Sequence, residues 1–233
     1  MRLPTVLILQ NDAVEALGWY ETYLSEKDIP HRVLHAYQED EAFPPVEDYD
    51  AFIVGPTPLS ANAVDAHAFL VKEWTYLGEI VERGKPCLGV CCGAQLLAKH
   101  LGAEVERSPH GEIGVYVVRL TRAGRSDALF TGFPSAFPVF HWHRDVFTVP
   151  PGGRLLVTGE ECPLQTFGWG RVRGVLFHLE IDSRDAARWC DAYEDELAAA
   201  GTTRAQVVAA CREHGPAMQR LASRLMANFL QQV

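Results

Sequence analysis

The stretch Pro86-Cys87-Leu88-Gly89-Val90-Cys91-Cys92-Gly93-Ala94-Gln95 constrains this chain more than any other. Its first five residues form an apolar run of strand length, while Ala94, Leu97, Ala98 and Leu101 recur at i, i+3, i+4 and i+7, the helical period. Cys91 therefore falls where a strand turns directly into a helix, between glycines that tolerate unusual backbone angles and close approach. Such a turn presents the side chain at the strand's carboxyl end, where unpaired N–H groups and the helix dipole favour a thiolate over a thiol. Gly102 stands at the C-cap position. A cysteine at a strand end is equally an ordinary small core residue, so the rest of the chain has to decide its chemistry.

The flanking sequence alternates strand and helix. Thr5–Leu9 reads as a strand, Val14–Ser25 as a helix with Leu17, Tyr20 and Leu24 on one face, and Arg32–His35 as a second strand. A third strand, Tyr49–Val54, runs into Gly55-Pro56-Thr57-Pro58, where the prolines delay the next helix. That helix spans about Val64 to Glu82, with Leu70, Trp74, Leu77 and Val81 as its apolar stripe and Gly84 as its stop. Strands this apolar are buried on both faces, which predicts an α/β fold with a mostly parallel, mixed sheet flanked by helices. In such sheets ligands bind at the strands' carboxyl ends, so Gly55 and Cys91 are expected to face one crevice.

Past Gly102 the pattern becomes one of shorter strands: Tyr116–Leu120, Phe137–His141, Leu155–Thr158, Gln165–Trp169 and Val172–Phe177, the last two joined as a hairpin through the glycines between 168 and 174. His178 and Glu180 follow at i and i+2 on what reads as a continuing strand, an arrangement in which a carboxylate can fix an imidazole's tautomer and stabilise its charge. A surface ion pair is the plainer reading of the same spacing. From Ser183 the chain turns helical, with one stripe through Ala186, Trp189, Cys190, Tyr193 and Leu197 and another through Met218, Leu221, Ala222, Leu225 and Phe229. Gly201-Thr202-Thr203 marks a stop and a new N-cap, so three helices close the chain. The organisation expected is one domain, 1–233, with a core of about 4–182 and C-terminal helices over about 184–231. No internal repeat or low-complexity tract interrupts it.

Composition excludes several classes of function. The 233 residues are 48% hydrophobic and 22% charged, with a formal net charge of −9 and no basic block, which argues against nucleic-acid and anionic-membrane surfaces. The apolar start ends at Gln10-Asn11-Asp12, too soon for a signal peptide or a membrane span. Cys87, Cys91, Cys92, Cys162, Cys190 and Cys211 are scattered in apolar runs, which suits reduced thiols and a cytoplasmic location.

Taken together, Gly55-Pro56, the Gly-Val-Cys-Cys-Gly-Ala-Gln elbow, Glu112-Ile113-Gly114 and Phe177-His178-Leu179-Glu180 resemble, in this order, the motifs of class I glutamine amidotransferases. The likeness covers residues 4–182 and is nearest to stand-alone bacterial members and to the glutaminase domain of GMP synthase. It implies the flavodoxin-like fold of that family, with Cys91 as nucleophile and His178, oriented by Glu180, as base. It further implies an oxyanion hole from the N–H groups of Gly55 and Cys92, and a substrate site that includes Gln95, Glu112, Ile113 and Gly114. Two positions depart from the usual motifs: Val54 replaces the first of two paired glycines, and Leu179 replaces the common proline, a change expected to alter packing more than chemistry.

The activity implied is hydrolysis of glutamine's side-chain amide through a γ-glutamyl thioester, with no cofactor. The ammonia would go to an acceptor on a separate synthase subunit. A γ-glutamyl peptide or amide hydrolase with the same triad, and a non-catalytic binding or regulatory protein on the same fold, are the alternatives, and a homodimer is left open. His141 and His143, two apart on a strand, share a face as a metal pair would, but no third ligand of obvious spacing follows. No metal is expected; the resemblance implies a structural, pocket-wall role for this segment and its Asp145.

Overall fold

The computed structural model describes residues 2–233, with side chains for all of these except Pro109 and His110. Nine strands form one sheet in the order β2-β1-β3-β4-β9-β8-β7-β5-β6. The parallel half comprises β1 (Val6–Gln10), β2 (His31–His35), β3 (Ala51–Val54), β4 (Cys87–Val90) and β9 (Val172–Val175). Every residue of β1, β3, β4 and β9 is buried, as their mostly apolar character requires, with Gln10 and Arg173 the polar exceptions. The antiparallel half adds β5 (Val105–Leu120), β6 (Ala136–Phe147), β7 (Arg154–Thr158) and β8 (Thr166–Trp169).

The helices are α1 (Gly18–Glu26), α2 (Ala68–Glu82), α3 (Cys92–His100), the single turn α4 (Arg122–Arg125), α5 (Ser183–Ala192), α6 (Glu194–Ala199) and α7 (Arg204–Leu230). They divide the core into two layers. One holds Tyr20, Phe140, Phe177, Trp189 and Met218 between sheet, α1, α5 and α7; the other holds Phe52, Leu77, Leu97 and Phe147 beneath α2 and α3.

Several element boundaries differ from expectation: β5 and β6 are longer than the strands expected over Tyr116–Leu120 and Phe137–His141, and three further differences bear on the site. The first helix begins at Gly18 because Asp12 Oδ1 accepts the N–H groups of Val14 (2.7 Å) and Glu15 (3.2 Å), a side-chain turn that competes with helix. The second splits into a 3₁₀ segment, Ala61–Ala66, and α2, with His67 extended between them at φ −130°. The strand expected over Val172–Phe177 stops at Val175, and His178 instead lies beside β6, exchanging backbone hydrogen bonds with Phe140 at 2.8 and 3.0 Å.

Candidate active site

Cys91 joins β4 to α3 at φ +50° and ψ −112°, a conformation that a non-glycine residue adopts only under strain of about 1–3 kcal/mol. The surroundings hold it there. A Cβ on Gly93 would lie 2.2 Å from the Val54 carbonyl oxygen, and one on Gly89 would lie 2.6 Å from that of Gly93, so only glycine lets strand and helix approach this closely. The Cys91 N–H donates to Val175 O at 2.8 Å and ties the turn to β9. Cys92 occupies the first turn of α3, where a backbone N–H has no acceptor within the helix. Its thiol points to Leu59 O at 3.3 Å, and burial pushes its pKa well up. The two adjacent cysteines are thus chemically distinct, with Cys91 alone strained at the turn.

His178 and Glu180 are fully buried, and Nδ1 of the imidazole lies 2.5 Å from Glu180 Oε1. Burial works to lower the imidazole's pKa; Glu180, and then the Cys91 side chain, outweigh it and push the value up to about 10. Nε2 has no close hydrogen-bond partner among the described residues, and the Cys91 thiol points to Trp142 O at 3.8 Å. Trp189 packs edge-on against the ring, with centroids 4.9 Å apart. The change at 179 touches the site after all: the Leu179 N–H donates to Glu180 Oε2 at 2.9 Å, a bond that proline cannot make.

A cavity of about 160 Å³ opens over Cys91. Thr57, Pro58, Leu59 and Ser60 line it from the loop after β3, Gln95 from α3, and Trp142, His143, Arg144 and Asp145 from β6. Gln95 is fixed by a hydrogen bond from Nε2 to Asp145 O at 2.9 Å. Gly55 is close to this loop, but its N–H donates to Leu9 O at 2.8 Å, so it reaches an oxyanion only by exchanging that bond.

The Glu-Ile-Gly segment does not line the cavity. In the antiparallel register Glu112 faces His143, Ile113 faces Trp142 and Gly114 faces His141, so strand alternation turns Ile113 into the core. Glu112 lies buried under the cavity wall, where its Oε2 accepts from His143 Nε2 and from Gln165 Nε2, each at 3.0 Å.

Two contributions to the cavity carry no sequence motif. Glu15, held in the loop after β1, lines it as a buried carboxyl; burial raises its pKa to about 7, with His178 and the Tyr193 hydroxyl opposing that rise. Tyr193 and Glu196 come from the α5–α6 corner. Glu196 Oε2 accepts from Trp142 Nε1 at 2.9 Å, and Oε1 lies 3.3 Å from Arg144. No short-range sequence pattern marks either contribution.

Residues 19–186 match the glutamine amidotransferase class-I family. The chain belongs to that family. It is 28% identical over 175 residues to the glutamine amidotransferase-like protein YfeJ of Salmonella typhimurium, a match covering 73% of each protein. It is 42% identical over 104 residues to the glutamine-hydrolysing GMP synthase of Aeropyrum pernix, which covers 44% of this chain and 20% of that enzyme. The crystal structure of a glutamine amidotransferase from Thermotoga maritima superposes with a TM-score of 0.91 at 29% identity, over 99% of this chain and 100% of that one. The flavodoxin-like architecture is therefore that of class I amidotransferases. Among the described residues no helix is long and apolar enough to cross a membrane.

Proposed function

We propose that this amidotransferase hydrolyses the side-chain amide of free glutamine, with Cys91 as nucleophile, His178 as acid and base, and Glu180 as the group that orients the imidazole. The observation that carries the proposal is the strained, cavity-lining Cys91 beside a buried imidazole whose far nitrogen is 2.5 Å from a carboxylate. The thiolate attacks the amide carbon, and the Cys92 N–H meets the oxyanion; a second donor of this kind contributes about 3 kcal/mol, which is Gly55's role once its N–H leaves Leu9. His178 gives its proton to the amide nitrogen, ammonia departs, and a γ-glutamyl thioester remains. Water, deprotonated by the same imidazole, then releases glutamate and the thiol.

Free glutamine is proposed over γ-glutamyl peptides on the likeness to glutamine-hydrolysing GMP synthase. Gln95, Arg144 and Asp145 are proposed to meet its amino-acid end. The ammonia is proposed to pass to an acceptor on a separate synthase subunit, a reading supported by the likeness to GMP synthase, of which the matched region is 20%. Six unpaired cysteines support a reducing, cytoplasmic setting.

The test is release of ammonia and glutamate from L-glutamine, compared with γ-glutamyl dipeptides, by wild type, Cys91→Ala and Cys92→Ala. Turnover of glutamine that is abolished in the first variant and retained in the second is the expected result. Preference for the dipeptides would replace glutaminase by γ-glutamyl hydrolase, and failure of a glutamine-analogue electrophile to label Cys91 would sink both.

A further inference from the structure

Glu112, His141 and His143 form a buried group whose potential ligand atoms all lie within 4.8 Å of one another. Strand register builds it. Glu112 and His143 are direct cross-strand partners on β5 and β6, His141 lies two residues along the same face, and Gly114, opposite His141, contributes no side chain to fill the space between. Glu112 Oε2 is 3.0 Å from His143 Nε2 and 3.8 Å from His141 Nε2. A tetrahedral zinc ion with ligands at its usual bond lengths separates them by about 3.4 Å. The observed spacings therefore straddle what such an ion needs.

A second observation points to a ligand. His141 is fully buried, yet neither ring nitrogen has a hydrogen-bond partner among the described residues. A buried polar side chain left so is destabilising, and a lone pair directed at a cation removes that cost. Gln165 Nε2 donates to Glu112 Oε2 and to Cys162 O, each at 3.0 Å, which is how an outer group steadies a ligating carboxylate, while its own Oε1 has no partner among the described residues.

A route also exists. A separate cavity of about 280 Å³ reaches Glu112 from the surface between β5 and the loop after β7, lined by Tyr116, Val117, Val118, Gly159, Glu160 and Glu161. Its mouth carries the exposed carboxylates of Glu160 and Glu161 and no lysine or arginine, so it draws cations inward.

We propose that Glu112, His141 and His143 bind one divalent transition-metal ion, zinc by the chemistry of two imidazoles and a carboxylate, at a site separate from the Cys91 nucleophile. Because His143 also lines the Cys91 cavity, the ion would brace that wall from behind. Nothing in this depends on glutamine being the substrate.

The test is titration of chelator-stripped full-length protein with Co²⁺, followed by absorption spectroscopy. One equivalent is expected to bind with visible d–d bands of nitrogen and oxygen coordination and no thiolate charge-transfer band in the near ultraviolet. The spectrum should be unchanged in Cys91→Ala and lost in His141→Gln and Glu112→Gln, whose folding circular dichroism verifies. Absence of saturable binding by wild type would overturn the site without any variant. So would a thiolate band that vanishes with Cys91→Ala, or cobalt spectra identical in wild type and both folded ligand variants.

Discussion

Glu15 shows how one side chain can set a pH response. Its carboxyl, raised to about 7 by burial, changes charge in the range where the enzyme would work, and it is coupled to His178. A glutamine at this position copies the protonated form and cannot titrate. Initial rates of glutamine hydrolysis between pH 5.5 and 9 are therefore expected to show an inflection near 7 in wild type and none there in Glu15→Gln, with less than about a tenfold loss at the optimum. An unchanged inflection would assign it to another group. Glu15 was not legible in the sequence because nothing local marks a carboxylate that becomes a cavity wall only when the loop after β1 meets Tyr193. The turn at Cys91 and the contact of His178 with Glu180 were legible as geometry, since a strand-to-helix turn and an i, i+2 pair are short-range patterns. Leu179 was only half legible: its side chain packs in the core, as its apolar character suggested, but its N–H bond to Glu180 depends on a backbone path that leaves β9 at Val175.

At the scale of elements, the α5–α6 corner brings Tyr193 and Glu196 from the C-terminal tail to the cavity over Cys91. The amphipathic stripe of the tail announced that it would cover the sheet, and Trp189 and Met218 do so. The stripe could not announce that Tyr193 and Glu196 would reach the site, because their partners Glu15, Trp142 and Arg144 lie roughly 50 to 180 residues away in sequence. A shorter separation, 31 residues between Glu112 and His143, hid the third member of the His141–His143 cluster, which comes from the adjacent strand through pairing register. Glu196→Ala removes the acceptor for the Trp142 indole and the partner of Arg144, both on the cavity wall. Steady-state kinetics is expected to show a several-fold rise in KM for glutamine with little change in kcat, because the corner shapes binding and does not touch the reacting atoms. Trp189→Ala, by contrast, empties a fully buried position against His178 and is expected to lower stability by about 3–5 kcal/mol in denaturant titrations.

For the molecule as a whole, three buried groups drive stability in one direction with pH, opposed below about pH 6.5 by His141, whose imidazole pKa is held well below its usual value by burial. Glu15 and Glu73 have pKa values raised to about 7 and about 8 by burial, and His178 is raised to about 10. A raised carboxyl is fully compatible with folding below its unfolded value near 4.5, and its contribution drains away as pH climbs to the folded value, at about 1.4 kcal/mol per unit. His178 adds stability below its unfolded pKa near 6.5 that is lost as pH rises through 10. Thermal unfolding is thus expected at a higher temperature at pH 5.5 than at pH 9. Glu73 makes the sharpest test because it lies outside the catalytic group. Its Oε1 accepts from Asn11 Nδ2 at 2.9 Å, and the same amide nitrogen donates to Gly55 O at 3.1 Å, so a destabilising buried carboxyl is retained where it steadies the loop carrying Gly55. Glu73→Gln keeps an oxygen for Asn11 and discards the titration. Its melting temperature should exceed that of wild type by a margin that widens from pH 5 to 8 and then levels, while glutamine turnover stays unchanged. Parallel melting curves across that range would mean that Glu73 is ionised in the folded protein, and the linkage between this carboxyl and the Gly55 loop would have to be one of charge instead of a shared neutral hydrogen bond.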